Sequence, residues 1–213
     1  MTKDSERRQE PECGVPGLNR FVEDFAAGLV AADAKRPVAI NHRTKHPFRP
    51  GIGPHAEGAT VRLVAGEMRA ADPARYAELA FNVPYLNKPQ WKCDLAIGAE
   101  RDRLFVEVKM LRLVGDNGKP NDNMLMHILS PYPEHRSAVT DCEKLLWSGF
   151  EGRKAILIFG YAYPGWLLEP AISAFEVVAG RAIKLGPRAS SNFEDLCHPV
   201  HREGSVYAWE LAV

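Results

Sequence analysis

The sequence predicts an α/β fold, a central mixed β-sheet flanked by helices, and three observations carry that expectation. Segments 92–98 and 103–111 are rich in β-branched and aromatic residues and flank Ala99-Glu100-Arg101-Asp102, which reads as a four-residue hairpin loop. Ala155-Ile156-Leu157-Ile158-Phe159 is a continuous apolar run, as expected of a strand buried on both faces. Between the two lies a stretch of helical period, so a strand, a crossover helix and a second buried strand make a parallel pair beside an antiparallel one.

Residues 1–12 are charged and almost devoid of large apolar side chains, and are expected to be disordered. A helix from Leu18 to about Ala32 and a basic loop fill the rest of an N-terminal segment, 13–53. The core, 54–163, opens with a helix that begins after Gly-Ile-Gly-Pro (51–54) and runs to about Ala70, with Asp72-Pro73 as its stop. Its apolar stripe is Val61, Val64, Ala65 and Met68. At about 100° per residue Glu57 projects into the middle of that stripe, toward the sheet, while Glu67 lies about 100° to one side. The helix macrodipole also favours a carboxylate in the first turn, so position alone leaves both readings of Glu57 open.

The next strand is expected from Tyr76 to Tyr85, broken at Pro84, and the hairpin follows. Segment 115–123, Gly-Asp-Asn-Gly-Lys-Pro-Asn-Asp-Asn, is a run of turn formers that predicts a long loop near the hairpin, either touching a substrate or merely connecting elements. A second helix is expected from about Pro133-Glu134 to Ser148-Gly149, burying Ala138, Val139, Cys142, Leu145 and Leu146; His135, Arg136, Asp141 and Lys144 lie off that stripe, on a solvated face by default, with one or two of them able to approach the active site or a phosphate. Residues 164–213 read as a C-terminal extension packed on the core. It has a helix from Ala171 to about Ala182, a loop-like stretch with Pro187, Ser190, Ser191 and Pro199, and a terminal strand from Ser205 to Leu211.

The hairpin holds the chemistry. If Gly98 closes against Arg103, Asp94 falls directly opposite Glu107. Side chains alternate along a strand, so Phe105, Glu107 and Lys109 share one face with Asp94, while Leu104, Val106, Val108 and Met110 share the other. Opposed residues in an antiparallel pair lie about 5 Å apart at Cβ, and like charges there repel. A hard divalent cation with oxygen ligands would offset the repulsion, and the Val108 carbonyl could add a ligand. The alternative is a solvated surface hairpin in which Lys109 simply neutralises one carboxylate.

Asp94, a gap, then Glu107-Val108-Lys109 resembles the signature of the PD-(D/E)XK nuclease superfamily, with Cys93 where that motif often has Pro. The order helix, three antiparallel strands, helix, strand is similar to the core of that superfamily over 54–163. The resemblance implies a restriction-endonuclease-like core and an endonuclease hydrolysing DNA phosphodiester bonds, of restriction or phage-defence type. It further implies Mg2+ as cofactor, with Mn2+ as a substitute, held by Asp94, Glu107, Val108 and Glu57. Catalysis would fall to Asp94, Glu107, Lys109 and Glu57, with Lys109 orienting the attacking water. A noncatalytic DNA-binding or assembly component keeps the same fold without the chemistry. A glycosidase using paired carboxylates is a weaker fit, because its mechanism has no need of a central lysine.

Lysine plus arginine balance aspartate plus glutamate at 27 each, so no global field draws the chain to nucleic acid. From Lys35 to His55, however, Lys35, Arg36, Arg43, Lys45 and Arg49 occur with three histidines and no acid, a loop able to track a phosphate backbone or to serve as a solvated connection. No stretch has the roughly 20 apolar residues that span a bilayer, and the N-terminus lacks the apolar run of a secretory signal. Cys13, Cys93, Cys142 and Cys197 are widely spaced, favouring a reduced cytoplasmic protein over a disulfide framework. His42/His46 and His198/His201 have ligand-like spacing, but Pro47 and Pro199 disfavour helices there and no third ligand is near in sequence. A homodimer would suit the cutting of both DNA strands.

Overall fold

The computed structural model describes residues 15–99, 102–123 and 125–212. The expected disordered tail 1–12, Cys13 and the middle of the hairpin loop, 100–101, lie outside them. Among the described residues the fold is mixed α/β, with a seven-stranded mixed sheet and five α-helices.

In chain order the elements are α1 (Leu18–Ala34), α2 (Glu57–Ala71), β1 (Ala80–Pro84), β2 (Lys92–Ile97), β3 (Leu104–Arg112), α3 (Met126–Leu129), α4 (Ala138–Leu146), β4 (Arg153–Ala162), α5 (Glu169–Ala179), β5 (Lys184–Leu185), β6 (Ala189–Phe193) and β7 (Glu203–Ala212). The sheet order is β1-β2-β3-β4-β7-β5, with β6 also on β7. β1, β2 and β3 are antiparallel, β3 and β4 are parallel across nine rungs, and β7 runs antiparallel to β4. The crossover from β3 to β4 carries α3 and α4, as parallel strands require.

Two apolar layers flank the sheet. Phe21, Phe25 and Leu29 of α1 and Val61, Val64 and Met68 of α2 recur at helical spacing and pack against Leu104, Val106 and Val108 of β3. Gly28 lets the two helices touch, since a Cβ there would meet Val64 at 2.9 Å. Cys142 and Leu145 of α4 and Ile172 and Phe175 of α5 cover the opposite face with Phe105, Ile156 and Ile158. β4 is buried on both faces along Ala155 to Phe159, as its unbroken apolar run requires.

Four boundaries differ from the sequence reading. β1 begins at Ala80 rather than Tyr76; Tyr76 sits in a turn after α2, fully buried, with its hydroxyl donating to Asp24 at 2.6 Å. The helix expected from Pro133 is split into a 3-10 turn, Pro133–His135, and α4, because Arg136 adopts a left-handed φ of 47° and Ser137 then caps α4 through Thr140 N–H. α5 ends at Ala179, and the stretch read as loop-like contains β5 and β6. Ala-Ser-Ser-Asn-Phe has too few apolar residues to declare a strand, yet it pairs with β7 from Ala189↔Ala208 to Phe193↔Gly204. In β1, Asn82 takes φ 52° and Pro84 ends the strand, so this edge is kinked in its middle.

Among the described residues no helix is long and apolar enough to cross a membrane.

Candidate active site

The β2–β3 register is Leu95↔Val106, Ala96↔Phe105 and Ile97↔Leu104, so the rung that follows is Asp94 with Glu107. Parity then sets Asp94, Glu107 and Lys109 on the α4 face of the sheet. The ladder stops at this point. Instead of a backbone rung, the Asp94 carboxylate accepts the Val108 N–H at 2.9 Å, and the Cys93 thiol donates to the Val106 carbonyl at 3.3 Å. Because the N–H and C=O of one strand residue point the same way, the Val108 carbonyl faces Asp94 beyond the end of the ladder.

Glu107 is 4 % exposed. Burial pushes its carboxyl well above the ordinary carboxylate range, and the neighbouring Asp94 and Asp141 push it further. Tyr85, at the end of β1, donates its hydroxyl to Glu107. Burial, and then the charge of Glu107, raise the Tyr85 phenol far above its usual value, so it remains a donor.

Lys109 is held on two sides. Its ammonium lies 2.5 Å from Asp141 of α4 and 3.7 Å from Glu57 of α2. Burial works against its charge, but Glu57 and Asp141 outweigh it and raise the pKa above the ordinary lysine value. Glu57, the first residue of α2, accepts the Met110 N–H at 2.7 Å. Burial raises its pKa, with Lys109 opposing. Asp141 also pairs with Lys144, three residues along α4.

The structure therefore brings together Asp94, Glu107, Val108, Lys109 and Glu57. Glu57 serves Lys109 and the β3 backbone, however, and among the described residues no three His, Cys, Asp or Glu side chains gather closely enough to hold a metal ion by themselves. The expected basic residues are elsewhere. Lys35, Arg36, Arg43, Lys45 and Arg49 are exposed, and the ion pairs of Glu57 and Asp141 are with Lys109 and Lys144 instead; Lys35 pairs with Glu67, ten residues and about 15 Å along α2 from Glu57. His198 and His201 are buried and stacked at 5.0 Å, with His201 on Asp116 at 2.9 Å and the His198 Nδ1 accepting two backbone N–H groups. The 115–123 loop is thus anchored through Asp116, which also faces Arg112.

Two members of the site are not singled out by the sequence. A solvated face is the default for Asp141, with approach to the site as the alternative; it is 3 % exposed and meets Lys109. A signal was present, since at about 100° per residue Asp141 lies only about 40° from Leu145, on the border of the buried stripe. Tyr85 carried no such signal, because an aromatic residue at a strand end reads as core.

The donor set suits a hard cation. Asp94, Glu107 and the Val108 carbonyl are all oxygen donors, and a carboxyl driven toward protonation by burial and then by like-charged neighbours is one that such an ion would keep charged. No protein-family model, curated protein or solved structure matches the chain.

Proposed function

We propose that the protein is a divalent-metal-dependent endonuclease hydrolysing DNA phosphodiester bonds, on a restriction-endonuclease-like core. The observation that carries this reading is the β2–β3 register, which aligns Asp94 with Glu107 and sets Lys109 on the same face. The order of elements from α2 to β4, with β3 and β4 parallel, supports it.

Asp94, Glu107 and the Val108 carbonyl would hold the ion. Mg2+, or Mn2+ in its place, would lower the pKa of a bound water and stabilise charge on the phosphate. Lys109 stays protonated, so it acts as a cation and not as a base, orienting the attacking water and neutralising phosphate charge. The water oxygen would bond to phosphorus as the water gives a proton to solvent, one P–O ester bond would break, and the departing oxygen would take up a proton from solvent. Glu57 and Asp141 fix the position of the ammonium, and Tyr85 fixes Glu107.

A second reading, a noncatalytic DNA-binding component, is favoured by one observation: the carboxylates do not form a three-ligand group among the described residues. Supercoiled plasmid incubated with the protein in Mg2+, in Mn2+ and in EDTA separates the two. The nuclease reading expects nicked or linear DNA with either metal and none in EDTA, with Asp94→Ala inactive. Cutting in EDTA, or an Asp94→Ala variant as active as the parent, would overturn it; DNA retention without cutting would move the assignment to the second reading.

A further inference from the structure

A cleft of about 760 Å³ opens between the β1–β2 connection and α4. None of the carboxylates of the candidate active site lines it, yet two contacts join them. Lys144, in the cleft wall, pairs with Asp141, which holds Lys109. Trp91, also in the wall, packs edge-on against Tyr85 at 6.4 Å, and Tyr85 holds Glu107.

Two tryptophans and a group of cations give the cleft its character. Trp147 is 79 % exposed, more than any other large apolar side chain among the described residues, and Trp91 is 40 % exposed. Lys92 and Arg136 line the same walls with a single acid, Glu143, while Lys144 is matched by Asp141 behind the wall. Lys88 lies 3.6 Å over the Trp91 ring. An indole left in water beside several cations matches a ligand with apolar faces and an anionic backbone. An unpaired polynucleotide is such a ligand, because its bases offer free π-faces and its phosphates follow at regular intervals. In a duplex those faces are covered by neighbouring bases, so a concave aromatic wall has nothing to stack on.

We propose that this cleft binds a single-stranded stretch of DNA, with Trp147 and Trp91 stacking on bases, Lys92 and Arg136 neutralising phosphates, and the strand leading to Asp94 and Glu107. The substrate class of the nuclease is then DNA with an unpaired segment, a conclusion that rests on the function proposed above. It also moves nucleic-acid contact from the exposed loop at 35–49 to the α4 face of the sheet.

The test is binding of a short oligo(dT) to the full chain in EDTA, read by tryptophan quenching and by anisotropy of a labelled strand, with duplex DNA and oligo(U) as competitors. Trp147→Ala should weaken oligo(dT) binding by about tenfold, as expected of one lost base stack. Lys92→Gln should lower the slope of log affinity against log salt by about 0.7. Affinity unchanged in Trp147→Ala, duplex bound more tightly than oligo(dT), or preference for oligo(U) would each overturn the proposal. Plasmid cutting without oligo(dT) binding would remove the cleft and leave the nuclease standing. Trp147-dependent binding in a protein that cuts nothing would keep the cleft and remove the nuclease.

Discussion

β3 separates two buried polar clusters that treat charge in opposite ways. On the α4 face, Glu107 sits beside Asp94 and Asp141 and is driven toward protonation. On the α1 and α2 face, acids are matched. Asp33, 2 % exposed, accepts the N–H groups of Ile52 at 2.8 Å and Cys197 at 2.6 Å. Asp116 is held below the ordinary carboxylate range, because the His201 hydrogen bond and Arg112 outweigh the opposing effect of burial. The matched cluster joins segments distant in sequence; on the α4 face the acids outnumber the lysines, an excess that a proton on Glu107 or a further cation would relieve. The comparison separates residues that hold the fold from those to which the proposed function gives the chemistry.

The sharpest way to break this contrast is Lys109→Ala. Cleavage of plasmid should fall by about 100- to 1000-fold, the range for losing one preorganised charge stabiliser, and gel quantification of the nicking rate would check it. Asp33→Ala should do the reverse. It orphans two buried N–H groups, so it should lower unfolding stability by about 3 kcal/mol in a urea titration while the cleavage rate of the folded fraction stays within a few-fold of the parent. If Asp33→Ala proved catalytically dead and stable, the division between the clusters would fail.

The pH dependence of stability sharpens the structural side. Burial and the neighbouring His201 lower the His198 pKa to about 4 from its ordinary 6.5. The unfolded chain then binds this proton at higher pH than the folded one, so the contribution is fully present above pH 6.5 and is lost as pH falls from there to about 4. Urea midpoints at pH 7.5 and 5 should differ by an amount equivalent to about 2 kcal/mol, and His198→Asn, which keeps an acceptor for the Val200 and His201 N–H groups, should reduce that difference. The smallest effect is on the chemical side. Glu107→Gln retains shape and removes a buried acid from beside two others, so at pH 8 in EDTA it should stabilise the fold by about 1 kcal/mol, while in Mg2+ it should abolish cleavage. A destabilised Glu107→Gln would show that the acid has a structural role.

Local rules made the hairpin legible. A four-residue loop and strict alternation are enough to put Asp94 opposite Glu107 and Lys109 on their face, and the observed rungs follow that register. Helical geometry aims Glu57 at the sheet, and it reaches Met110. Partners brought by tertiary packing were not legible. Asp141 looks like any polar residue on an amphipathic helix until α4 docks over Lys109, and Tyr85 looks like core until its hydroxyl finds Glu107. β6 was hidden for a similar reason, since its strand state depends on pairing with β7 rather than on its own composition.

The kinked edge strand β1 bears on how two copies could associate. A flat, regular edge offers a row of backbone donors and acceptors to which a second chain can add a strand. In β1 the left-handed Asn82 interrupts that row and Pro84 removes a donor from its end. Growth of the sheet from one molecule into the next is therefore blocked at the β1 edge.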